Sequence, residues 1–121
     1  MPKRTPKKTS PTRWTNRLDP EAVDAAYEDA TVDAYDEEEQ YSGFLSVLED
    51  ELVFPFSAKI FDDVVTVVDF EASDDAGFCI DLIFERDGKR HRIAAWSVEL
   101  IEPLPEGHLV LAAYLKWQKL V

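Results

Sequence analysis

The chain has 121 residues, 45% of them hydrophobic, and a formal net charge of −12. This length allows one domain with a real core, and the apolar content excludes a compositionally disordered chain. No stretch has the roughly 18 apolar residues of a membrane span. With no signal-peptide pattern and a single cysteine, Cys79, which can form no internal disulfide, the sequence predicts a soluble, cytoplasmic protein.

Charge divides the chain into two parts. Residues 1–17 hold six Lys/Arg and no acid, whereas residues 18–121 hold all 25 acids against seven bases, so the first part is +6 and the second is −18. The Pro, Thr, Ser and Lys/Arg of the first part show no periodicity, which predicts a basic flexible tail over 1–17 and a single acidic domain over 18–121. Such a tail gives at most a weak, salt-sensitive contact with nucleic acid.

The first part of the acidic domain is predicted to be helical. Asp19 can cap a helix, Pro20 suits its first position and Glu21 meets the positive end of the dipole. One apolar stripe at helical spacing runs through Val23, Tyr27, Ala30, Ala34, Tyr41, Phe44, Leu45, Leu48 and Leu52. The pattern fits either one acidic helix or two helices with a break near Thr31, and Pro55 ends it.

After Pro55 the pattern changes to that of a β-sheet. Five short segments rich in Val, Ile and Phe follow, namely SAKIF, VVTVVDFEA, FCIDLIFE, KRHRIAAW and SVELIE. Asp87 and Gly88 suit a tight hairpin turn, and a last helix is predicted from His108 to Leu120. The predicted fold is therefore α+β, with an acidic N-terminal helix, single or broken, a small five-stranded antiparallel SH3-like barrel and a C-terminal helix.

The acidic run in the helical segment has no bases to balance it. Between Arg17 and Lys59 there are 13 acids and no Lys or Arg. On a helical wheel Glu37 and Glu38 fall on the apolar face, where unpaired carboxylates are costly unless a proton, a base or a metal compensates. Clustered hard oxygen ligands favour Ca²⁺. The carboxylates predicted to hold Ca²⁺ are Asp33, Asp36, Glu37, Glu38 and Glu39, and the acidic pairs around the second strand, Asp62, Asp63, Asp74 and Asp75, are predicted to contribute.

The stretch from Val32 to Phe56 resembles the signature of the CcbP-type family of small calcium-binding proteins. That family has an Asp-Ala-Tyr, a Glu-Glu-Glu-Gln, a Gly, a Glu-Asp and a Pro-Phe in this order and spacing. The matching residues here are Asp33-Ala34-Tyr35, Glu37-Glu38-Glu39-Gln40, Gly43, Glu49-Asp50 and Pro55-Phe56. The resemblance implies an acidic protein that binds calcium without EF-hands, through surface carboxylate clusters, and acts as a calcium buffer or sensor.

Other interpretations remain open at this point. The acidic run could be a solvated surface, or part of an interaction module that docks a basic protein or mimics a nucleic-acid backbone. An EF-hand frame from Glu38 to Glu49 starts with Glu rather than Asp and lies inside the helical stripe, which disfavours it. No zinc-ligand spacing, nucleophile motif or phosphate-binding loop accompanies His91 and His108, so no enzyme is predicted.

Overall fold

A computed structural model describes residues 13–73 and 77–119 of the chain. The helices are α1 (Pro20–Thr31), α2 (Glu37–Glu51) and α3 (His108–Trp117), and the strands are β1 (Phe56–Ile60), β2 (Asp63–Ala72), β3 (Ile80–Arg86), β4 (Lys89–Ala94) and β5 (Glu99–Leu100). This arrangement confirms the predicted α+β class. No helix within these residues is long and apolar enough to cross a membrane.

The helical segment consists of two helices, not one. α1 begins where predicted, with the Asp19 side chain accepting from the backbone N–H of Glu21 at 3.2 Å, and it ends at Thr31. The connection that follows includes Asp33 in the left-handed region, with φ of 63°, so the helix cannot continue through it. Asp36 then caps α2, and the predicted break near Thr31 is confirmed.

The five strands form one antiparallel sheet in the order β4-β3-β2-β1-β5. The turn between β3 and β4 is the predicted one, with Asp87 and Gly88 both at positive φ, 55° and 78°, as a tight hairpin requires. In contrast with the prediction of a closed SH3-like barrel, the sheet is open among the described residues, because β4 and β5 each pair with a single neighbour. β5 has only two paired residues, too few to bridge both β1 and β4.

A single apolar core joins the helices to the sheet. Its largest fully buried side chains are Tyr114, Phe44, Leu48, Ile80, Leu82, Leu111, Leu115 and Val67. α3 contributes the most, since every residue from Val110 to Leu115 is buried. The stripe predicted from the sequence therefore faces the core as expected: Val23, Ala30, Phe44, Leu48 and Leu52 are all buried.

The folded part of the chain starts earlier than the sequence indicated. Residues Trp14–Arg17 form a short 3-10 turn, and Trp14 is 2% exposed within the core. The Arg13 guanidinium donates to the carbonyl of Trp96 at 3.2 Å. The predicted boundary of the basic tail at residue 17 is therefore too late, because an aromatic side chain in the supposed tail is a core residue. Residues 1–12 lie outside the described residues.

Gly43 sets the distance between α1 and α2. A Cβ atom at this position would lie 2.0 Å from the carbonyl oxygen of Ala30, a separation that no folded protein tolerates. A residue without a side chain is therefore required in the middle of α2, despite its unfavourable helix propensity. This contact fixes the end of α1, and with it the connection that carries Asp33 and Asp36.

Candidate metal centre

The carboxylates predicted first as ligands surround the start of α2. Asp33 lies in the connection after α1, Asp36 is the N-cap residue of α2, and Glu37, Glu38 and Glu39 form its first turn. All five are exposed. The three glutamates lie at the positive end of the helix dipole, which offsets part of their mutual repulsion.

Two of these carboxylates also hold the backbone in place. The Asp36 Oδ1 atom accepts a hydrogen bond from the backbone N–H of Glu39 at 2.9 Å. The Glu39 Oε1 atom accepts from the backbone N–H of Tyr35 at 2.6 Å. These reciprocal bonds resemble a capping box and satisfy amide groups that have no partner within the helix. Each side chain has a second carboxylate oxygen that is outside this pair of bonds.

The prediction that Glu37 and Glu38 interrupt the buried face of the helix is wrong, because both are exposed. A helical wheel gives the angle of a residue around the helix axis and not its height along that axis. The core extends only to Tyr41, which is half-buried, and the first turn of α2 projects beyond it. The two glutamates therefore carry no free-energy cost of burial. The unfavourable feature that remains is electrostatic repulsion among the exposed carboxylates.

The second turn of α2 is fixed to the rest of the protein by Gln40 and Tyr41. The indole Nε1–H of Trp117 donates to the Oε1 atom of Gln40 at 2.8 Å. The Tyr41 hydroxyl donates to the carbonyl of Cys79, and its ring lies 5.3 Å from that of Phe78. Burial, followed by the nearby Cys79 thiol, raises the pKa of Tyr41. The sequence analysis placed Tyr41 only on the apolar stripe, and nothing in the pattern indicated its hydrogen bond.

The same contacts bring the strand ends around residues 73 and 77–79 next to α2. The backbone N–H of Ser73 donates to the carbonyl of Cys79 at 2.9 Å, so this oxygen also accepts from Ser73. The Gln118 amide donates to the carbonyl of Gly77 at 2.6 Å, and the Tyr114 hydroxyl donates to that of Phe78 at 3.2 Å. The chain on either side of residues 74–76 is therefore held against Tyr41, in the turn of α2 that follows the three glutamates.

The predicted contributors Asp74 and Asp75 themselves lie outside the described residues. Asp62 and Asp63 are at the opposite end of β2 from Ala72, roughly 30 Å away at the usual rise of about 3.3 Å per residue. Asp63 forms an ion pair with Arg86 at 3.2 Å. The structure therefore does not bring Asp62 and Asp63 together with the start of α2, because a long strand separates the two loops that the sequence places on either side of it.

The bases of the acidic domain are concentrated on the sheet. Arg92 contacts Glu71 and Asp81, each at 3.2 Å, and Arg90 contacts Glu85 at the same distance. Among the described acids of the helical segment, Asp24 alone forms an ion pair, and its partner is Lys116. The strongly acidic run from Asp33 to Glu39 thus has no basic side chain in contact with it among the described residues.

The donor atoms of this run suit a hard cation, but they are not preassembled into a cage. Calcium takes about six to eight oxygen ligands with flexible geometry, and carboxylates are its usual ligands in proteins. In the ranges 13–73 and 77–119, no group of three or more His, Cys, Asp or Glu side chains is close enough to hold a metal ion. Residues 38–49, which would form an EF-hand loop in the frame considered above, lie within α2.

Comparison with known proteins identifies the class of protein. The model of the CcbP family, described as calcium binding, matches residues 26–117, which is about three quarters of the chain. The chain belongs to this family, as the resemblance of its acidic segment indicated, and membership implies calcium binding.

A solved structure shows the same fold. The crystal structure of Anabaena CcbP superimposes with a TM-score of 0.65 at 24% sequence identity, over 83% of this chain and 91% of that one. No protein among the curated sequences matches the chain.

Proposed function

We propose that this protein is a calcium-binding protein without an EF-hand, and not an enzyme, that acts as an intracellular Ca²⁺ buffer or sensor. The observation that carries the proposal is the group of five exposed carboxylates within residues 33–39, none of which contacts a base among the described residues. Membership of the CcbP family supports calcium as the cation.

The acidic start of α2 is suited to a cation for electrostatic reasons. Like charges this close repel one another, so a divalent ion stabilises the folded state by neutralising them. The second oxygens of Asp36 and Glu39 supply ligands without loss of the capping bonds. Since the side chains are not gathered in advance, we propose that they converge on the ion, with Asp74 and Asp75, which follow Ser73 in the sequence, as further ligands.

The proposal is tested by calorimetric titration of chelator-stripped protein with Ca²⁺ in the presence of excess Mg²⁺ and monovalent salt. A saturable isotherm that persists in Mg²⁺ supports a selective site. Mg²⁺ demands a smaller octahedral arrangement and gives up water reluctantly, so a flexible carboxylate cluster should prefer Ca²⁺. A flat trace would leave the acidic run as a solvated surface and would contradict the proposal.

A matched pair of variants locates the site. The double variant Glu37→Gln and Glu38→Gln removes two negative charges at the start of α2 and should abolish most of the specific binding. The control, Glu21→Gln with Glu28→Gln, removes the same charge from exposed positions of α1. Equal weakening in both variants would indicate general screening instead of a site. Deletion of residues 1–12, which stops short of the buried Trp14, should leave calcium affinity unchanged.

A further inference from the structure

A groove of about 510 Å³ lies between the middle of α2, from Leu45 to Glu49, and the second half of β2. Its floor is apolar: the rings of Phe54 and Phe70 stack at 6.3 Å with an angle of 18° between their planes, and Leu45 lies beside them. Both phenylalanines are half-buried. An apolar floor open to solvent is suited to the apolar part of a ligand.

The walls of the groove are acidic. Glu49 borders it from α2, and Asp69 and Glu71 border it from β2. Glu71 is paired with Arg92, whereas Glu49 and Asp69 form no ion pair among the described residues. Negative walls over an aromatic floor complement a cation carried on an apolar stem, which describes the side chains of lysine and arginine.

One side of the groove is an open sheet edge. β1 pairs with β2 only as far as Phe56, opposite Val67, so beyond that point β2 pairs with β3 alone. A register shift between Val67 and Asp69 marks a bulge there. Within this stretch, the N–H of Phe70 donates to the Asp69 Oδ1 atom at 2.8 Å. An unpaired edge of this kind can accept an extended peptide as an additional strand.

We infer that this groove docks an extended basic segment of a partner protein along the free edge of β2, residues 68–72. Main-chain hydrogen bonds to the edge supply affinity, basic side chains reach Glu49 and Asp69, and an apolar side chain covers Phe54 and Phe70. The inference is independent of the calcium proposal, since none of these residues is among the proposed calcium ligands, and it is tested with a chelator present.

The first experiment uses the full chain and a fluorescent peptide in which arginine and lysine flank a single leucine, followed by anisotropy. We expect saturable binding that weakens as salt rises, because the contacts are ionic. The double variant Glu49→Gln and Asp69→Asn should weaken it roughly tenfold, as expected for two partly enclosed ion pairs. The control, Asp50→Asn with Glu28→Gln, changes the net charge equally outside the groove and should have little effect. Equal weakening in both would overturn the inference.

A second measurement tests the sheet edge directly. Hydrogen–deuterium exchange of the amides in residues 68–72 should slow when the peptide is bound, because a new strand protects them. Spermine, which carries positive charge but no peptide backbone, should compete weakly and leave this exchange unchanged. If spermine binds as tightly as the peptide and the exchange rates stay the same in both cases, the groove is a general cation surface and peptide docking is excluded.

Discussion

The indole N–H of Trp117 donates to the side-chain carbonyl of Gln40 at 2.8 Å, across 77 residues of sequence. This bond ties the end of α3 to the second turn of α2, directly after the three glutamates. The Trp117 ring also lies 6.4 Å from that of Tyr41 in a stacked arrangement. The first turn of α2 therefore adjoins an aromatic residue whose fluorescence depends on its surroundings.

We expect calcium to change the emission of Trp117. Movement of the first-turn carboxylates toward an ion alters the field and the hydrogen bond at the indole, and the change should saturate with the calorimetric midpoint. The variant Trp117→Phe should lose this response, whereas Trp96→Phe should keep it. A calcium response that survives Trp117→Phe would show that the ion is sensed elsewhere in the fold.

Asp36 is expected to act both as a helix cap and as a calcium ligand, and two substitutions separate the roles. Asp36→Ala removes the bond to the Glu39 amide and should lower the free energy of unfolding by about 0.5–2 kcal/mol without calcium. Asp36→Asn keeps a capping oxygen and should be nearly as stable as the wild type, yet bind calcium more weakly. Denaturant unfolding and calorimetry on both variants give the comparison. Wild-type affinity in Asp36→Asn would remove this residue from the set of ligands.

Replacement of Gly43 by alanine should destabilise the protein. The added Cβ would lie 2.0 Å from the Ala30 oxygen, so the two helices must move apart. Overpacking of this kind costs about 1–3 kcal/mol, which exceeds the gain of up to about 1 kcal/mol from the better helix former. Ser42→Ala, on the exposed side of the same turn, should be neutral or slightly stabilising. Thermal and urea unfolding would measure both, and unchanged stability in Gly43→Ala would contradict the close approach.

Tyr114 should make the fold sensitive to high pH. Burial is the main reason that its pKa rises from 10.0 to about 12. Because the neutral phenol is favoured in the folded state, its stabilising effect is fully present below pH 10 and is lost as pH rises toward about 12. Urea unfolding at a series of alkaline pH values should show stability falling across this window. In Tyr114→Phe the fall should be shallower, with the raised pKa of Tyr41 accounting for part of what remains.

The same variant tests a buried hydrogen bond at neutral pH. The Tyr114 hydroxyl accepts from the backbone N–H of Ile80 at 2.9 Å, and Ile80 is fully buried. Loss of the hydroxyl leaves that amide without this acceptor, which should cost about 1–3 kcal/mol. Tyr27→Phe is a suitable comparison, because Tyr27 is only half-buried and should change stability little. An unchanged free energy of unfolding in Tyr114→Phe would mean that water replaces the hydroxyl as the acceptor.

Local patterns of the sequence predicted much of the fold. Asp19-Pro20 marks the start of α1 and Asp87-Gly88 marks a hairpin, because capping and turn geometry depend on neighbouring residues. The alternation after Pro55 likewise predicts the strands. Closure of the sheet depends on how far each strand pairs with distant strands. No local pattern shows that β5 would be limited to two residues.

The candidate site could be predicted only in part, because it too depends on contacts between residues far apart in the sequence. The acidic run is visible in the sequence, but the position of a loop relative to a helix is set by tertiary contacts. The bond of Tyr41 to Cys79 holds residues 73 and 77–79 near α2, while the length of β2 takes Asp62 and Asp63 to the far end of the sheet. Periodicity alone could not distinguish these two acidic pairs, since both flank the same strand.

The pairing of bases on the sheet also affects the rate at which the protein meets a cation. Arg92 is held by Glu71 and Asp81, and Arg90 by Glu85, so these bases lie beside acids of the sheet and not beside the five carboxylates within residues 33–39. The negative potential of those carboxylates attracts a cation before it touches any side chain, so the encounter is faster than for an uncharged surface and slows as salt is added.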